Sequence, residues 1–178
     1  MTQLKLHLLG SPVLRERCEE VHAIDDGIRK LVDEMYQTMH TAKGVGLAAN
    51  QVGLTHRIAV VQVADEEPIT LINPAIVERE GKVRDEEGCL SIPEIYADVE
   101  RSQRVVVETT TLEGARERHD VSDYLARAVQ HEIDHLDGIL FLDRLSPLKR
   151  KMLLKKWKKL RKGETGYIKD VMPARSSR

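Results

Sequence analysis

The sequence predicts an α+β fold in which antiparallel β-sheets pack around a central helix bearing a metal-binding pattern, with a further helix near the C-terminus. Three observations carry that expectation. Segments rich in valine, isoleucine and threonine, punctuated by glycine and proline, fill the middle of the chain. An apolar stripe of helical period, Ile28, Leu31, Val32, Met35 and Met39, precedes them. The stretch His131-Glu132-Ile133-Asp134-His135 follows them, and on a helix two histidines four apart share a face.

Asp25 stands just before the apolar stripe, where its carboxylate can cap a helix that should end before Gly44 and Gly46. Strands are expected over residues 57–63, 69–72, 75–80 and 104–111, and Leu112-Glu113-Gly114-Ala115 reads as a hairpin turn into a further strand toward Val121. The motif helix should begin near Ser122 or Asp123, either of which can accept hydrogen bonds from first-turn amides. Residues 149–162 carry nine positive charges and no acids, with Leu153, Trp157 and Leu160 on one stripe. This predicts a basic amphipathic helix over about residues 146–162. Such a helix is either drawn to phosphate backbones or docked by its apolar stripe on its own domain.

At 178 residues the chain fits one domain with a real core. Its net charge is near −1, so the part outside the basic run is near −10. There is no internal repeat. The N-terminus has no basic start leading into a long apolar run, and no stretch is apolar enough to span a bilayer, so the expected location is the cytoplasm. Cys18 and Cys89 are the only cysteines, which excludes a disulfide framework. A reducing compartment would keep Cys89 available as a thiolate; Cys18 lies in a charged stretch and receives no role.

His131 and His135 can present two imidazoles to one metal ion, with Glu132 beside it. Cys89, in Glu87-Gly88-Cys89-Leu90-Ser91, offers a thiolate as third ligand. Three protein ligands leave a position open, the arrangement of a catalytic metal. The plainer readings are a solvated helix with ordinary histidines and a cysteine acting as a small buried apolar residue. A metzincin protease would need a third histidine where Phe141 stands. A thermolysin-like site would need a glutamate on a following helix. The acids after Phe141 are Asp143, Glu164 and Asp170, one too close and two beyond the basic run.

A third segment changes the balance: Gly44-Val45-Gly46-Leu47-Ala48-Ala49-Asn50-Gln51. With Glu87-Gly88-Cys89-Leu90-Ser91 and Gln130-His131-Glu132-Ile133-Asp134-His135, it closely resembles the signatures of the peptide deformylases, metalloenzymes that remove the N-formyl group from nascent bacterial proteins. The opening Ser11-Pro12-Val13-Leu14-Arg15 is also similar, so the resemblance runs from about residue 6 to about residue 145. It implies a single deformylase catalytic domain, taken with the basic helix as residues 1–163, and residues 164–178, which match no motif, read as a flexible tail.

The resemblance further implies a metal held by Cys89, His131 and His135, with Glu132 as general base and acid. Gln51 and the Leu90 N–H would be the oxyanion donors, and Gly46 would bond the substrate backbone. Gly44 and Gly46 remove side chains where an extended peptide could pair, or else serve ordinary turn chemistry. Ala128 falls on the face of His131 and can line a pocket for the methionine side chain, with Arg127 at its rim. Glu87 can pair with Arg101 to hold the cysteine loop, or form a surface ion pair of little weight, and Asp134 has no firm partner.

Two imidazoles and a thiolate would ordinarily suit zinc. The resemblance implies Fe2+ as the working metal, with Zn2+, Ni2+ or Co2+ able to replace it. Some deformylases dock on the ribosome through a basic C-terminal helix, and residues 149–162 are similar. The alternatives are a ribosome-docking protein of this fold without catalysis, and a metallopeptidase acting on internal bonds.

Overall fold

Asp25 caps the first helix as its position requires. In the computed structural model, which describes residues 4–171, strand β1 (Lys5–His7) precedes helix α1 (Asp26–Thr41). The Asp25 Oδ1 accepts a hydrogen bond from the Ile28 amide at 2.9 Å. All five stripe residues of α1 are buried, and the helix ends where Lys43 turns left-handed at φ 59°. The chain continues through β2 (Gly46–Ala48), β3 (Ile58–Val61), β4 (Ile69–Glu80), β5 (Val83–Cys89) and β6 (Ile92–Arg101). After β7 (Arg104–Thr110) and β8 (Arg116–Ser122) come α2 (Asp123–Leu136), α3 (Pro147–Leu160) and β9 (Ile168–Asp170).

Five strands form one antiparallel sheet in the order β2-β3-β4-β7-β8, while β5-β6 and β1-β9 are separate antiparallel pairs. The strands expected at 69–72 and 75–80 are one strand. Pro74 sits at a register shift between Ile72 and Ala75, where a residue without an N–H is tolerated. Asn73 there adopts φ 50°, and its side-chain amide bonds both the N–H and the carbonyl of Val21.

Helix α2 is buried on nearly every side from Ala126 to Leu136. Ala126, Val129, Ile133 and Leu136 pack on the valines and isoleucines of the large sheet. A second core joins α1 to the β5-β6 hairpin through Ile92, Ile95, Ala97 and Val99, and closes on Phe141, Leu142 and Trp157. The expected capping bond of α2 is not formed. The Ser122 hydroxyl accepts no first-turn amide, and Asp123 starts the helix at φ 58° with its own N–H donated to Gln103.

Helix α3 begins with Pro147 after Ser146, whose Oγ accepts the Lys149 amide at 3.3 Å. Its apolar stripe docks at the centre only: Trp157 is buried, Leu153 is partly buried, and Leu160 is exposed. The tail expected from residue 164 is built into the fold as far as residue 171. The Leu8 amide donates to Tyr167 O at 2.7 Å, the Arg161 guanidinium stacks on Trp157 and Tyr167, and Val171 is buried. Residues 172–178, the rest of that expected tail, lie outside the described residues. No helix among the described residues is long and apolar enough to cross a membrane.

Candidate metal centre

One turn of α2 puts His131 and His135 side by side, their Nε2 atoms 3.2 Å apart. The tip of the β5-β6 hairpin brings in the third donor, with Cys89 Sγ 3.3 Å from His135 Nε2. The three donor atoms all lie within 4.8 Å of one another. Glu87 Oε1 accepts the Nδ1–H of His131 at 3.0 Å, which turns the Nε2 of that ring toward the other two donors. Burial disfavours charge on both rings. In His131, bonds to Cys89 and Glu87 outweigh burial and hold its pKa well above the usual value; in His135, burial and the charge of His131 push it well below. A proton retained among three converging soft and borderline donors is what a divalent cation displaces on binding, so the residues fit a metal ion.

The carboxylate behind His131 belongs to a buried ion network. Arg101 donates to Glu87 through Nε at 2.9 Å and to Asp134 through Nη1 at 2.5 Å. Asp134 also receives Arg144 Nη2 at 2.7 Å. The Glu87–Arg101 pair is therefore internal rather than superficial, and Asp134 has two firm partners. Arg127, expected at a pocket rim, borders the cleft and is otherwise buried. Its guanidinium donates to Glu87, to Val99 O at 2.8 Å and to Val83 O at 2.8 Å, tying α2 to both strands of the cysteine hairpin. Burial alone would raise the Glu87 carboxyl, but the bonds from His131 and Arg101 overcome it and hold the pKa at about 2.

Glu132 is buried, and that burial pushes its pKa up to about 7. Its Oε2 has no hydrogen-bond partner among the described residues. Gly46 explains how it fits: a Cβ there would come 2.5 Å from Glu132 Oε1, and a Cβ on Gly44 would come 2.6 Å from the Leu90 side chain. The glycines thus make room for these two side chains as well as for any incoming backbone. Gly46→Ala should force the Glu132 carboxylate aside and lower kcat by about 100-fold, since a misplacement near 1 Å has an effect of that size. Steady-state kinetics with metal content measured in parallel would check this, and a kcat within threefold of the parent would refute it.

The sequence model of the family described as polypeptide deformylase matches residues 3–151. The chain belongs to the polypeptide deformylase family. It is 47% identical to the peptide deformylase of Alkalilimnicola ehrlichii over 163 residues, covering 90% of this chain and 92% of that one. The crystal structure of a peptide deformylase from Legionella pneumophila superposes with a TM-score of 0.84 at 38% identity, covering 92% of this chain and all of the other. That from Ehrlichia chaffeensis in complex with actinonin gives 0.87 at 40% identity, covering 93% and 100%. Deformylases are metal-dependent hydrolases that remove the N-formyl group from nascent polypeptides, and this chain is one of them.

Gln51, Leu90, Gly44, Gly46 and Ala128 line one cleft with Cys89, His131 and Glu132, and its volume is about 690 Å³. Gln51 is oriented without ambiguity. Its Oε1 accepts the Ala48 amide at 2.9 Å, so Nε2 must face Cys89 Sγ at 3.6 Å and Ser91 Oγ at 3.1 Å. Ser91 is buried and holds that carboxamide, a role sequence reasoning missed although the residue lies in the cysteine motif. Asn50 also went unassigned. It donates to the His135 carbonyl and so ties the turn carrying Gln51 to the end of the motif helix. Leu90 occupies the hairpin tip beside Cys89, and Ala128 lines the cleft between Tyr124 and His131. Phe141, which excluded a metzincin site, is buried with its ring stacked 6.2 Å from that of His131.

Proposed function

We propose that Cys89, His131 and His135 hold one divalent metal ion, and that the chain hydrolyses the formyl amide of an N-terminal formylmethionine. The observation that carries this reading is the convergence of three ligand atoms beside the buried carboxylate of Glu132. When bound, the metal supplies a Lewis acid that lowers the pKa of water and polarises a carbonyl oxygen.

Glu132 takes a proton from the attacking water. Its raised pKa, about 7, lets it release that proton to the departing amine nitrogen near neutral pH. Negative charge then building on the formyl oxygen is met by donors already in place, Gln51 Nε2 and the Leu90 N–H. Gly44 and Gly46 let the extended peptide approach as an added strand, and Ala128 lines the part of the cleft that takes the methionine side chain.

The family resemblance supports Fe2+ as the working metal, with Zn2+, Ni2+ or Co2+ able to occupy the same site; the donor set by itself suits zinc. The lysines and arginines of α3 are mostly exposed, and Leu148 and Met152 project beside them. These features support docking of α3 on the ribosome, where formylated chains emerge into the cytoplasm. Nothing favours the reading as a non-catalytic binding protein, because Gln51, Cys89, His131, Glu132 and His135 are all present.

Protein purified without oxygen should release one formate per formyl-Met-Ala-Ser peptide, lose that activity on chelation, and regain it with nickel. In air the iron-loaded enzyme should decay while the nickel-loaded enzyme persists. Equal lifetimes would count against ferrous iron, and absence of release at one metal per chain would overturn the hydrolase reading.

A further inference from the structure

The cleft has a wall outside the region that the family model matches. Lys169, Asp170 and Val171 border it together with Leu6, and all three lie beyond residue 151. The strand that carries them is firmly seated. Val171 is buried in the main core, the Leu8 amide donates to Tyr167 O at 2.7 Å, and Tyr167 covers Gly10, where no side chain would fit.

Cross-strand partners in an antiparallel pair share a face. Lys169 is paired with Leu6, a buried residue that lines the cleft, and its neighbour Asp170, which also borders the cleft, is paired with Lys5. The Asp170 carboxylate already has a cation, Lys5, at 3.5 Å. Lys169 is exposed and has no ion pair among the described residues. We infer that Lys169 determines specificity for the peptide beyond the formylated residue, selecting an acidic side chain at the one position that lies over β9. This rests on the deformylation reading above.

The other charges bordering the cleft sharpen the inference. Glu86 and Glu94, on the cysteine hairpin, are anionic, Asp170 on β9 is anionic and paired with Lys5, and Lys43 is a cation just after α1. An extended peptide points alternate side chains to opposite sides, so its residues meet these groups one at a time. A preference created by Lys169 is therefore confined to a single peptide position, while positions facing Glu86 or Glu94 do not share it.

The test is kcat/KM for formyl-Met-Ala-Ser-Ala peptides carrying Asp or Lys in turn at the second, third and fourth residues. Each value is normalised to release from the uncharged peptide by the same preparation. At one position the parent should favour Asp over Lys by about two- to fivefold, the range of a single exposed ion pair. Lys169→Glu should invert that ratio at the same position, and 0.5 M salt should shrink it in both proteins. Coincident Asp/Lys ratios for parent and variant at every position would overturn the role of Lys169 while leaving deformylation intact. No release from the uncharged peptide by the parent would overturn both.

Discussion

Glu132→Ala should lower kcat by about 1000-fold at unchanged metal content, because a positioned general base and acid contributes an effect of that order. Cys89, His131 and His135 supply the three converging donors, so removing the Glu132 carboxylate takes no atom from the metal set. The variant should therefore bind metal normally and fail at proton transfer. Stability should move the other way. The folded-state pKa of Glu132 is raised by burial to about 7, above its ordinary value of 4.5, so the folded chain favours the protonated form. The resulting penalty is absent below the ordinary pKa and grows as pH rises toward 7. Metal-free Glu132→Gln should accordingly unfold at a higher temperature than the parent above pH 7, and the difference should vanish near pH 4. Formate release, metal analysis and thermal melts at the two pH values settle both halves. A kcat within tenfold of the parent would remove Glu132 from the chemistry.

How much of this was legible in the letters depends on whether the signal was local. The cap at Asp25 and the α1 stripe depend on residues within a few positions of each other, and both are found as read. The cysteine and histidine signatures pointed to the three donors that converge, because ligand chemistry restricts which residue types can serve. The β5-β6 hairpin was missed although it carries Cys89. Its first strand reads Val83-Arg84-Asp85-Glu86-Glu87, a poor strand composition. Its second strand does alternate, with Ile95, Ala97, Val99 and Arg101 inward, but the last of these inward residues is a charged one. Arg101 can be buried only because Glu87 and Asp134, distant in sequence, converge on it, and no local pattern announces such a meeting. Strand β9 is similar. All three of its residues are exposed, and pairing with β1 makes them a strand.

Arg101→Ala should lower stability by about 3 kcal/mol, at the lower end of the effect of breaking a buried ion pair. Arg101 stands between two buried carboxylates, donating to Glu87 and Asp134 at 2.9 and 2.5 Å. Its removal leaves both buried carboxylates with a donor fewer. The loss is not larger because Arg127 still faces Glu87 and Arg144 still faces Asp134. For a chain of this size the melting temperature should fall by roughly 10 °C. The same change reaches the metal: Glu87 orients His131, and loosening that carboxylate should weaken metal binding by about tenfold. Arg101→Lys keeps the charge but cannot reach both acids with a planar fork, so it should fall between parent and alanine variant in both measurements. Asp134→Asn in the Arg101→Ala background removes one stranded charge and should recover part of the stability, with little return of metal affinity because Glu87 remains loose. Chemical denaturation and metal competition on the four proteins separate the two effects. A loss below 1 kcal/mol with unchanged metal affinity would mean that Arg127 alone holds Glu87, and that the Arg101 bridge between the hairpin and the motif helix is dispensable.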